Sequence, residues 1–110
     1  MTDDTTIRPP LDRYRFDLIV ARVCEHFKVS RAQLLSATRG ALHVGCARHA
    51  LYALSYELTS ATSREVAIVC NRFDHSTVLY GVEQTRTWKA KKPAYYKAMQ
   101  AARAALAEVQ

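Results

Sequence analysis

Residues 71–82 read NRFDHSTVLYGV, an acid, a histidine and two hydroxyls standing directly before Val78 and Leu79. Such a run could open a catalytic constellation, cap a helix, or form a surface that reads another molecule. Helical geometry separates these. Consecutive helix residues point about 100° apart, so Asp74, His75 and Ser76 cannot align as orienter, base and nucleophile. Aspartate is a strong helix N-cap, and Val78, Leu79 and Val82 supply an apolar face behind it. The stretch therefore predicts a helix over about 74–86, with Val78, Leu79 and Val82 inward. Ser76, Thr77, Tyr80 and Gln84 turn outward and His75 sits at the tip. That outward set is uncharged and hydrogen-bonding, which suits the edges of bases.

Working outward, Thr62-Ser63-Arg64-Glu65 has the form of a capping box and opens a short helix carrying Val66, Ala67, Val69 and Cys70. Asn71-Arg72-Phe73 links the two, giving the outline of a helix-turn-helix: one helix braces, the next enters the major groove. Ala47, Ala50, Leu51, Leu54 and Leu58 form one apolar stripe, predicting a helix over 47–58. Residues 37–46, with two glycines and no clear period, read as a loop. Ser30-Arg31-Ala32-Gln33 is a second capping box before a short helix. Leu18, Ile19, Val23 and Phe27 place a helix over 11–27, with Pro9 and Pro10 at its start. Pro93 ends or interrupts the run after 74, and Tyr95, Met99, Ala102 and Leu106 mark a last helix over 94–109. No stretch alternates long enough for a strand, so the expected class is all-α.

At 110 residues and 49% hydrophobic, the chain can bury one core without staples. No apolar run approaches a membrane span and the amino terminus has no signal core, which makes the cytoplasm the expected compartment and a membrane partner unexpected. Cys24, Cys46 and Cys70 are odd in number and read as reduced core thiols. The net charge of +6 is uneven: residues 1–36 carry six bases and five acids, whereas 86–97 carry Arg86, Lys89, Lys91, Lys92 and Lys97 with no acid. That balance permits a polyanionic partner. His43, Cys46 and His49 recur every three residues, but a structural zinc site needs a fourth ligand and none is evident. No metal, cofactor or small-molecule substrate is expected.

Asp74-His75-Ser76-Thr77-Val78-Leu79 resembles the D-H-[ST]-T-V-L signature of the carboxy-terminal DNA-binding domain (domain IV) of DnaA, the bacterial chromosomal replication initiator. CEHFKVSRAQLLS (24–36) is similar to that family's first two helices, and ARHALYALSYELT (47–59) to its long helix. The resemblance covers about residues 17–88. It implies a small all-α domain with a Trp-repressor-like helix-turn-helix, placed over 11–92; the residues outside it are expected to form a flexible tail over 1–10 and an extra C-terminal helix over 93–110. It also implies a non-enzymatic, sequence-specific reader of double-stranded DNA. His75 and Thr77 would meet major-groove bases, Asp74 a base or only the helix end, and Ser76 a base or phosphate. Arg48 would enter the minor groove, where an arginine reads a narrow A·T-rich width.

The chain also departs from the family. Two glycines and a base usually precede the aspartate, where Asn71-Arg72-Phe73 stands here. The loop before the long helix is normally rich in bases and keeps only Arg39. Tyr80 and Gln84 replace residues that are often histidine and lysine, so site preference should differ. Arg39, Arg64, Arg72, Lys91 and Lys92 are expected at phosphates, or for the arginines simply solvated. No G-x-x-x-x-G-K-[ST] occurs, so the family's ATPase is not expected. A competing expectation keeps the fold as an interaction module, with Tyr95, Tyr96 and Met99 binding a partner or forming a homodimer through the C-terminal helix.

Overall fold

A computed structural model describes residues 8–108, and these form seven α-helices with no strand among the described residues. α1 spans Arg13–Phe27, α2 Arg31–Leu35, α3 Leu42–Leu58, α4 Ser63–Val69, α5 His75–Arg86, α6 Trp88–Lys91 and α7 Pro93–Ala107.

Local chemistry sets most of these boundaries. Asp12 caps α1 by accepting the Arg15 N–H at 2.8 Å, so the helix starts later than expected and Pro9 and Pro10 lie outside it. Lys28 ends α1 in the left-handed conformation, φ 58°. Both expected capping boxes are present: Ser30 and Gln33 open α2, and Thr62 and Glu65 open α4. The second half of the stretch read as a loop over 37–46 is helical, because α3 begins at Leu42. Gly45 costs roughly 1 kcal/mol of helix propensity there, but helical geometry lets Val44 and Cys46 enter the core.

α3 lies at the centre and is buried on several sides, through Ala47, Ala50, Leu51, Tyr52 and Leu54. α5 and α1 pack against it, and α4 packs on α5. The run after Asp74 does not continue unbroken to Pro93. It breaks at Thr87, which lets Trp88 turn inward against Tyr95 (ring centroids 5.6 Å apart) and Phe27 (6.1 Å).

Pro93 then occupies the first position of α7, which packs along α1 and contributes Met99, Ala102 and Leu106 to the same core. Residues 93–107 thus contribute to the core. Of the residues expected to meet a partner, Met99 is buried, and the half-buried Tyr95 packs against Phe27 and Trp88. The tail expectation falls mostly on residues 1–7, outside the described residues. Its described end is tied down: Arg8 donates to the Glu57 carbonyl at 3.0 Å, and the Pro9 carbonyl accepts the Ser60 N–H at 2.8 Å.

Candidate nucleic-acid interface

The turn between α4 and α5 decides where the signature residues point. Asn71 adopts φ 62°, the left-handed region that asparagine tolerates better than most side chains. Its N–H donates to the Ile68 carbonyl at 3.1 Å, and the Arg72 N–H reaches back to the Ala67 carbonyl at 2.8 Å. This pair of bonds is a Schellman C-cap, with asparagine in the place glycine usually takes. The replaced glycines therefore do not abolish the tight turn. Arg72 is held by its side chain as well, Nε donating to the Tyr52 hydroxyl at 2.7 Å.

Asp74 then caps α5, its Oδ1 accepting the Ser76 N–H at 2.9 Å. That bond, a second from the Ser76 side chain and the neighbouring His75 hold its carboxyl below the usual carboxylate range. The aspartate is thereby engaged as a helix cap. His75, Ser76 and Thr77 remain exposed in the first turn, Tyr80 is exposed one turn on, and Gln84 is half-buried. Val78 and Val82 are buried as expected, but Leu79 is not: 40% of it is exposed. Its place on the inner face is taken by Gly81.

Gly81 sets how closely α5 lies on α3. A Cβ there would sit 2.8 Å from Tyr52 Cδ2 and 3.3 Å from the His49 Cα, closer than side-chain atoms normally approach. Above this contact the His49 ring meets Tyr80 edge-on, centroids 5.7 Å apart. Burial lowers the His49 pKa, which favours the neutral ring, and burial raises that of Tyr52 against the opposing pull of Arg72. Neither Gly81 nor Tyr52 was singled out from sequence, and His49 only for its zinc-like spacing with His43 and Cys46. A glycine inside a helical pattern is nonetheless a signal of close backbone approach.

Between the 39–42 segment, the start of α3 and the start of α5 lies a groove of about 490 Å³. It brings Arg39, Arg48, Arg72 and Thr77 together, with His49 and Tyr52 beneath. Arg39 is exposed and Arg72 half-buried, whereas Arg48 is only 9% exposed. The Arg48 guanidinium donates to the carbonyls of Gln33 (2.7 Å), Leu34 (3.2 Å) and Ser36 (3.2 Å), capping the C-terminus of α2. Burial and the nearby Arg72 lower its pKa. The minor-groove insertion expected of Arg48 would require the guanidinium to give up these three bonds.

Arg64 stands exposed on α4, and Lys91 and Lys92 lie on or beside α6, outside this groove. The three residues at zinc-like spacing go separate ways. His43 bridges the Phe27 carbonyl and the Tyr95 hydroxyl, Cys46 packs against Tyr95, and His49 faces Tyr52 and Tyr80. None of the described helices is long and apolar enough to cross a membrane.

Comparison with known families matches residues 16–84 to the bacterial dnaA protein helix-turn-helix. That segment runs from the end of the first turn of α1 to the last turn of α5, and contains the turn, the cap and the groove described above. No curated protein matches the chain.

Proposed function

The chain belongs to the bacterial DnaA helix-turn-helix family, a DNA-binding and non-catalytic one, and from that premise we propose that it recognises a specific sequence in duplex DNA. In this reading α5 enters the major groove by its N-terminal turn. His75 and Thr77 meet base edges, Ser76 a base or phosphate, and Tyr80 and Gln84 extend the contact along the groove. Arg39, Arg64 and Arg72 neutralise phosphates beside the helix, and Lys91 and Lys92 do so further along.

Arg48 acts here through the chain rather than on DNA. By capping α2 it fixes the segment that carries Arg39, and so holds that arginine beside the phosphates it neutralises. Occupancy of such a site would serve the control of transcription or replication.

One observation carries the reading: the exposed first turn of α5 presents hydrogen-bonding, uncharged side chains beside a groove rimmed by arginines. A solvated helix end would more usually present lysine and glutamate. Selection of bound duplexes from a random pool tests it. The expected result is enrichment of one short site; a pool that stays random after repeated rounds refutes sequence recognition.

A further inference from the structure

A second groove, of about 450 Å³, runs between α3, α5 and α7. Its floor is apolar, formed by Ala53, Val82 and Met99, with the half-buried Tyr56 and Tyr96 alongside. Its rim is cationic: Arg8, Arg86, Lys89 and Arg103 face a single acid, Glu57. Glu57 is already engaged, both its oxygens accepting from Arg103 at 2.7 and 2.9 Å. Arg86 pairs with Glu83, which lies outside the groove. Lys89 has no carboxylate within ion-pair distance among the described residues. The groove therefore keeps an unneutralised positive charge above an apolar floor.

Its direction separates it from the first turn of α5. Arg86 comes nine residues after Thr77, which at about 100° per residue places it about half a turn round the helix. A duplex seated on Thr77 leaves this side open. One wall, α7, also lies beyond the segment 16–84 shared with the family.

We infer that this groove docks an acidic peptide segment of a partner protein, one carrying an apolar side chain among its carboxylates. Arginine forks pair with carboxylates bidentately, and the apolar side chain supplies the desolvated anchor that holds such segments in place. A nucleic-acid strand fits less well. It needs open aromatic faces for stacking, and Tyr56 and Tyr96 are both half-buried.

The test is a methyl NMR titration of the full chain with a twelve-residue peptide of glutamate and aspartate around one leucine. Parallel titrations use the same peptide with serine for leucine, and a twelve-nucleotide oligothymidine. The expected result is saturable shifts at the Ala53, Val82 and Met99 methyls, weaker by at least tenfold for the serine peptide. The double variant Lys89→Glu/Gln100→Glu should lose at least tenfold in peptide affinity while keeping its preference among duplexes. Gln100→Glu alone, at an exposed position that also lines the groove, should move in the same direction, so the comparison survives if the double variant unfolds. Silent methyls at millimolar peptide overturn the inference. So does oligothymidine moving the same methyls at lower concentration, or unchanged peptide binding by the variants.

Discussion

Replacing Arg48 by methionine separates a structural arginine from a DNA-contacting one. Methionine keeps most of the stem volume but removes every donor, so the carbonyls of Gln33, Leu34 and Ser36 lose their partner. The Leu34 bond is buried and the other two are partly so, which lets water replace the latter in part. A hydrogen bond to a charged group contributes about 1.5–3 kcal/mol, and part of that returns because the guanidinium no longer has to be desolvated. The net cost is therefore about 2 kcal/mol, near the contribution of one such bond and not of three. For a domain of about 100 residues each kcal/mol moves Tm by roughly 4 °C, so calorimetry should show a fall of ~8 °C. Arg48→Lys, which keeps a charge but loses the fork, should fall in between. An unchanged Tm together with a large loss of duplex affinity would refute the capping role and restore Arg48 to the DNA.

Other perturbations probe the elements that aim α5. Gly81→Ala gains about 1 kcal/mol of helix propensity but overpacks Tyr52, whose ring is buried and whose hydroxyl is bonded to Arg72. Overpacking costs about 1–3 kcal/mol, so urea unfolding should show a net loss of about 1 kcal/mol and duplex affinity should fall; a more stable variant with full affinity contradicts the close-packing argument. Burial sets the His49 pKa below its unfolded value of 6.5. The unfolded chain therefore takes up the proton first as pH falls, and stability present above pH 6.5 declines below it. His49→Gln should flatten that decline in urea midpoints between pH 7.5 and 5.5, and parallel profiles would rule it out. Lys91→Gln and Lys92→Gln should weaken binding equally on every duplex, each lowering the salt slope by roughly 0.9; a loss confined to one sequence would place them at bases instead.

The features legible in the sequence were those whose cause is local. Ser30 with Gln33, Thr62 with Glu65, and Asp74 each satisfy helix N–H groups within three residues, and all three cap as read. The signature after Asp74 likewise keeps its first turn exposed, with the cap at Asp74 and the buried Val78 and Val82 both read from neighbouring residues. The misreadings arose where distant packing overrides local preference. Gly45 and the absence of a capping side chain at Ala41 argue against a helix at 42, yet burial of Val44 and Cys46 extends α3 to that point.

Trp88 looks like one more residue in a basic run, and only the Phe27–Tyr95 cluster explains why the chain breaks at Thr87. Leu79, expected inward, is partly exposed, and Gly81 lies at the crossing because α3 presents a ring there that leaves no room for a Cβ. Arg48 shows the same limit at the site. Its residue type suits DNA, and nothing within several positions of it reveals that the end of α2, twelve residues upstream at Ser36, takes up its donors.

The central claim is that the first turn of α5 reads sequence, and fluorescence anisotropy with the selected duplex and a scrambled one, at fixed salt, tests it most directly. The wild-type chain should prefer the selected duplex by at least about 10³-fold. His75→Ala and Thr77→Val should each cost ~1–3 kcal/mol on that duplex and almost nothing on the scrambled one, with unchanged Tm. Equal affinity of the wild-type chain for both duplexes, or equal losses on both in the variants, would contradict the account.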